Sequence, residues 1–179
     1  MIPRLETERL YLRAWRGEDF EAFAAMNGDA DVQRYLSGAP LSRADAWRSL
    51  AASVGQWTLR GYGTWAVERK SDGVLLGKAG IIHPEGWPGI EVGWTFAKEA
   101  WGHGYATEAA RAAIDYAFIA LPLDRVISII HPQNIASQKV AARVGETKGE
   151  PIVLQIDGHG YPADLWAIVR RDWDTKRRG

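Results

Sequence analysis

Trp101-Gly102-His103-Gly104-Tyr105-Ala106-Thr107-Glu108-Ala109 is the stretch on which the fold turns. It follows a strand-like run, Ile90-Glu91-Val92-Gly93-Trp94-Thr95-Phe96, and opens an alanine-rich helix reaching Ala120. Two glycines at a strand-to-helix junction let the backbone turn its N–H groups toward one point. The positive end of the helix dipole faces the same point. Such a junction holds a phosphate or pyrophosphate without a lysine, although the same glycines also serve a purely structural turn. The familiar nucleotide motifs do not fit. There is no G-x-x-x-x-G-K-[ST], and Thr107 stands where the third glycine of G-x-G-x-x-G belongs.

Upstream, Arg9 to Trp15 alternates as a first strand, with Leu10, Leu12 and Ala14 on one face. Gly17 breaks it. Asp19 to Asn27 reads as a short amphipathic helix with Phe20, Phe23, Ala24 and Met26 apolar, and Asp31 to Leu36 as another. Ser42 and Asp45 have N-cap and N3 spacing for a third helix that would face Leu50, Val54 and Trp57 to the core and end at Gly61. Thr64 to Arg69 and Val74 to Ile82 form a hairpin about Ser71-Asp72-Gly73, and Ile90 to Phe96 is the fourth strand.

Downstream, Pro122 stops the long helix. Arg125 to Ile130 is a β-branched run that reads as buried on both faces, as in a parallel pair, and the preceding helix is the crossover such a pair requires. Asn134 begins a helix, Ala136 to Val144, closed by Gly145. Ile152 to Ile156 and Ala163 to Val169 close the chain about Asp157-Gly158-His159-Gly160. The expected architecture is α/β (α+β): a mixed, mostly antiparallel sheet with one parallel pair, flanked by helices.

The chain has 179 residues, the length of one domain over 1–179. Lys+Arg and Asp+Glu are both 22, so charge gives no footprint for nucleic acid or an anionic membrane. The end, Lys176-Arg177-Arg178, reads as a solvated tail. With no cysteine, disulfides, thiolate metal sites and a cysteine nucleophile are excluded. No apolar run is long enough for a bilayer, and Met1-Ile2-Pro3-Arg4 lacks a signal-peptide core, so a cytoplasmic location is expected. The four histidines, His83, His103, His131 and His159, form no H-x-x-H or carboxylate cluster, and no metal is expected. Of the nine tryptophans, those on strands at 65, 94 and 166 read as core or groove wall.

This order of elements, with a glycine turn after the fourth strand, resembles the GNAT superfamily of acetyl-CoA-dependent N-acetyltransferases. Their phosphate-turn pattern [Q/R]-x-x-G-x-[G/A] aligns with Trp101-Gly102-His103-Gly104-Tyr105-Ala106, Trp101 departing at the first position. The wider string is similar to the ribosomal-protein N-terminal acetyltransferase (RimJ/RimL-type) branch. So are Leu5-Glu6-Thr7-Glu8-Arg9-Leu10-Tyr11-Leu12-Arg13, Glu18-Asp19, and Asn134-x-x-Ser137. The resemblance covers about residues 4 to 173.

It implies a parallel pair splayed into a V that holds acetyl-CoA. Backbone groups of Trp94, Thr95 and Phe96 would pair with the pantetheine arm. The N–H groups of the turn Trp101, Gly102, His103, Gly104, Tyr105, Ala106 and Thr107 would hold the pyrophosphate, and Asn134 and Ser137 would touch the arm's far side. The chemistry is attack of a neutral amine on the thioester, for which a carboxylate must remove a proton. Glu91 matches the family's strand glutamate, in a Glu-x-Gly-Trp context; a solvated residue or ion-pair partner is the alternative. Glu108, in the first helical turn, suits interaction with the dipole instead. The tyrosine that many members carry seven residues after the Asn is Ala141 here. Ser137 is then the implied proton donor to the leaving sulfur, against a helix-start hydroxyl bonding backbone. The acceptor would be a small-molecule amine or a protein N-terminus, in a pocket shaped by Asp31 to Pro40 and Asp157 to Pro162. The resemblance also allows a homodimer, and leaves open a non-catalytic acyl-CoA-binding module or a scaffold with an empty cleft.

Overall fold

The computed structural model describes residues 1–156 and 158–178; Asp157, expected in the last turn, lies outside the described residues. The elements in order are β1 (Leu5–Glu6), β2 (Leu10–Arg13), α1 (Phe20–Asn27), α2 (Ala30–Gln33), α3 (Arg43–Arg60), β3 (Thr64–Arg69), β4 (Leu75–Ile82) and β5 (Glu91–Phe96). There follow α4 (Tyr105–Ala120), β6 (Arg125–Ile130), α5 (Ile135–Val144), β7 (Thr147–Ile156), β8 (His159–Val169) and α6 (Arg170–Arg178). Among the described residues the strands form one sheet in the order β1-β2-β3-β4-β5-β6-β8-β7, and every pairing is antiparallel except β5 with β6.

Helix α4 packs on β4 and β5, with α5 beside it. Its small residues Ala109, Ala110, Ala113 and Ala117 are fully buried and let it lie close to the sheet, against Trp65, Val67, Ile81 and Val92. The other face is covered by α1 and α3, which share Phe23, Met26, Ala46 and Leu50. Arg13 clamps α1 to the strands. Its guanidinium reaches both Asp19 oxygens at 2.8 Å and Glu68 at 2.5 Å, and Asp19 also accepts the Arg16 N–H at 2.7 Å. All three members are largely buried, so breaking the set would strand a charge in the interior.

Several expectations are corrected. Val54 is 42% exposed, because α3 keeps only Leu50 and Trp57 of that stripe against its neighbours. The closing strands are longer than expected, pairing from Thr147–Ala167 to Ile156–His159. The basic end is no tail but the last turn of α6. Trp173 stacks on Phe118 at 5.1 Å and donates to Asp115 at 2.6 Å. Arg170 ties down the C-terminal end of α4 through the carbonyls of Phe118, Leu121 and Leu123 at 2.7–3.0 Å; of these, Phe118 is one of the acceptors an α-helix leaves orphaned.

Candidate active site

The site begins where the parallel pair stops pairing. β5 and β6 share register only at Glu91 and Ile127, where Ile127 N–H donates to the Ile90 carbonyl at 3.0 Å. The next rung of a regular parallel ladder would join Ile129 N–H to Val92 C=O. Both groups are diverted to side chains instead. Ile129 N–H donates to Glu91 Oε1 at 3.2 Å, and the Ser128 hydroxyl donates to Val92 C=O at 2.7 Å. A side-chain rung thus closes the seam without drawing the strands together. Beyond it lies a cleft of about 400 Å³, walled by β4, β5, β6, the α1–α3 segment and the start of α5.

Glu91 is 7% exposed and lines this cleft. Burial pushes its carboxyl up to about 7, against the hydrogen bonds from the Trp87 indole and Ile129 that favour the ionised form. The acid is therefore poised between its two states near neutrality, which is what a general base requires.

A second acid stands behind the seam. Glu146, at the foot of β7, is 4% exposed, with Oε1 2.9 Å from Ser128 Oγ. Ser128 has one proton, and the Val92 carbonyl can only accept it. The Glu146 contact therefore needs a proton from Glu146 itself. The electrostatics agree: burial and then the nearby Glu91 charge raise Glu146 to about 8, outweighing Ser128.

The glycine turn sits at the other end of β5. Gly102 and Gly104 have φ of 80° and 81°, the left-handed region that glycine occupies without strain. Gly104 is the N-cap of α4 and offers no side chain to its N–H groups, so a 16-residue helix begins uncapped. Residues Trp101 to Gly104 are exposed. Glu108 does not face the cleft. It is bound by Thr7 Oγ1 at 2.6 Å, Arg9 N–H at 2.8 Å and Arg9 Nε at 2.7 Å. Arg9 also donates to the His103 carbonyl at 2.9 Å, so the N-terminal segment latches the turn.

Between these ends, backbone direction alternates along β5. Ile90 bonds toward β6 and Ala97 toward β4, so Trp94 directs its N–H and C=O into the splay and Thr95 directs its own toward Lys78. Thr95 meets the cleft through its side chain, and the Phe96 carbonyl accepts from the Trp101 indole at 2.9 Å. Asn134 caps α5, its Oδ1 accepting Ser137 N–H at 3.1 Å. Both residues line the cleft, and the Ser137 hydroxyl has no hydrogen-bond partner among the described residues. Ala141 is fully buried in the core beside Trp166, so a tyrosine there has no room.

Other contributors were not read from the sequence. Lys78 and Thr64 line the cleft from β4 and β3, and His131 stacks on Tyr35 at 5.1 Å across its mouth. Ser128 lines its back wall, and Glu146 stands behind Ser128 without reaching the cleft. Each lies on an ordinary strand or loop, and only the pairing register brings them together.

The match to known proteins follows this geometry. Residues 9–147 match the family model described as an acetyltransferase (GNAT) domain. The chain is 36% identical over 148 residues to YkkB, an uncharacterised protein of Bacillus subtilis (strain 168), covering 79% of this chain and 84% of that one. It superposes on the crystal structure of an acetyltransferase from Agrobacterium tumefaciens str. C58 with TM-score 0.83 and 30% identity, over 95% and 96% of the two chains. It also shares the fold of RimL, a ribosomal L7/L12 alpha-N-protein acetyltransferase in complex with coenzyme A. That TM-score is 0.77 at 16% identity, over 93% and 98% of the chains.

Proposed function

The chain belongs to the GNAT acetyltransferase family, and from that premise we propose that Glu91 and the Gly102–Gly104 turn serve transfer of acetyl from acetyl-CoA to a primary amine. The observation that carries this reading is the placement of the two about one strand: a buried acid poised near neutrality at the start of β5, and an uncapped helix start beyond its end.

The residues fit the donor. The turn presents the free N–H groups of Tyr105, Ala106 and Thr107 where a Cβ at Gly104 would force a left-handed side chain. The edge of Trp94 offers one donor and one acceptor to an amide-bearing arm. Asn134 and Ser137 stand opposite. When bound, acetyl-CoA supplies the thioester carbonyl. Glu91, held by Trp87 and Ile129, removes a proton from the incoming ammonium, directly or through one water. The unengaged Ser137 hydroxyl donates to the leaving sulfur. The narrow seam closed by Ser128 excludes bulk water from the back of the site. A small-molecule amine and a protein N-terminus both suit the chemistry.

Thermal unfolding with acetyl-CoA, CoA and NAD, on wild type and Gly104→Glu, tests the reading. At 100 times Kd a ligand adds about 2.7 kcal/mol, or roughly 5–11 °C for a chain of this size. The expected result is a shift with acetyl-CoA and CoA, none with NAD, and loss of the shift in Gly104→Glu. A folded wild type indifferent to CoA overturns it.

A further inference from the structure

Lys78 is the cation that the mechanism leaves unused. Of the lysines whose side chains are described, Lys70 pairs with Glu6, Lys98 with Asp31 and Lys148 with Asp164, while Lys139 stands in solvent. Lys78 does neither. It is partly buried, no described carboxylate reaches it, and its Nζ sits 5.6 Å from the centre of the Phe23 ring. Burial lowers its affinity for a proton, with nothing opposing. A desolvated ammonium with only an aromatic face beside it is costly, and an anion would relieve that cost.

A neighbouring group points the same way. Thr64 is 7% exposed, lines the same cleft, and its hydroxyl has no partner. Its carbonyl accepts from two indoles, Trp15 at 3.1 Å and Trp57 at 3.0 Å, which holds its backbone in place. Thr64 pairs with Gly80, one turn of the pleat from Lys78 on the same face. The hydroxyl and the ammonium are thus a donor pair on one wall. Among the described residues lining the cleft, Lys78 is the one lysine or arginine and Glu91 the one carboxylate.

The geometry points to an anion subsite at Lys78 and Thr64 that binds the carboxylate of the acceptor, whose amine is presented to Glu91. The preferred acceptor is an amine that also carries an acid. The register sets the separation. Lys78 pairs with Thr95, four residues along β5 from Glu91, about 13 Å of strand. The reach of the two side chains shortens that span, but the amine and acid stay several bonds apart. An ω-amino acid or an N-terminal dipeptide ending in an acid fits, and glycine does not. This inference rests on the transferase reading of the same cleft.

The test uses matched probes with acetyl-CoA: 5-aminopentanoate against 5-aminopentanamide, and Ala-Glu against Ala-Gln-amide. Wild type is expected to favour each acid by about 10- to 100-fold in kcat/KM, the range for a hydrogen bond to a charged group. Lys78→Met should remove the preference through KM, leaving the amides and the CoA-induced thermal shift unchanged. Lys78→Arg should keep most of it. Glutarate, added with CoA, should raise the Tm of wild type and not of Lys78→Met, which reads the subsite without turnover. Acid and amide treated alike by wild type, together with no glutarate effect, overturn the subsite while amide turnover leaves the transferase reading intact. If CoA itself gives no shift, the transferase reading fails first, and the glutarate comparison still decides the subsite.

Discussion

The two ends of β5 are built from different materials. At the C-terminal end the surface proposed for the cofactor is backbone: left-handed glycines and the bare start of α4, steadied by Arg9 and Glu108. At the N-terminal end the surface is side chain: Glu91, Ser128 and Glu146, arranged around a missing ladder rung. A backbone surface needs only local geometry and tolerates exposure. A side-chain surface needs burial to shift its acids, and burial needs elements from β5, β6, β7 and the Trp87 loop at once.

The comparison is broken most directly at Glu91. Glu91→Gln should lower kcat by about 10²–10⁴ with CoA affinity retained, read by steady-state kinetics beside calorimetry. An equal loss of both would mean the two ends are not separable. In wild type, kcat/KM should rise with pH through about 7 as Glu91 ionises, a limb absent from the glutamine variant.

Glu146 offers the next largest effect, on stability. Its folded pKa of about 8 lies above the unfolded value of 4.5, so the folded state holds a proton that the unfolded state has released. That contribution is complete below about 4.5 and is lost as pH rises through about 8. Glu91 adds a parallel slope that levels near 7. Glu146→Gln, whose amide can donate to Ser128 as the acid does, should flatten the decline. Urea unfolding should find it a few kcal/mol more stable than wild type above pH 8. A wild-type curve already flat from pH 5 to 8 would show Glu146 to be ionised and the Ser128 argument wrong.

The turn responds on a smaller scale. Gly104→Ala imposes a left-handed alanine, and its Cβ would lie 3.5 Å from Arg9 Nη2; about 1–2 kcal/mol of strain is expected, seen as lower Tm and weaker CoA binding together. Arg9→Met removes the latch on His103 and Glu108 but no part of the turn itself. The partly exposed pair should cost about 1 kcal/mol or less, a few-fold in CoA affinity, largely masked by salt. A loss as large as that of Gly104→Glu would make the latch part of the binding surface.

The same division governs what the sequence discloses. The strands Thr64–Arg69 and Arg125–Ile130 have the predicted bounds, because β-branched runs between glycine, proline and aspartate punctuation leave little choice. The turn's backbone geometry is legible because two glycines at a strand-to-helix junction mark left-handed positions, while its use for a phosphate is read only from the resemblance. Asn134 is legible as the start of a helix, and Asn134, Ser137 and Glu91 are picked out as site residues only through the family resemblance. Glu146, Ser128 and Lys78 are not picked out at all. Nothing local marks them, and their placement comes from the pairings of β4 with β5, β5 with β6, and β8 with β6 and β7. Helix α6 is hidden for another reason. It is charged on nearly every side and among the described residues is held mainly by Trp173 and Arg170, so it has no periodic apolar face to read.

The rung made by Glu91 also turns a spectator into an instrument. Ile129 has no side-chain role in the proposed chemistry, yet its amide proton is shared with the carboxylate proposed as the base. In an ¹⁵N-labelled sample that single peak should drift with pH along the ionisation curve of Glu91, and shift again when a ligand alters the local field. One peptide group in the middle of a sheet would then report the charge of its neighbour, with no dye, no coupled assay and no turnover needed.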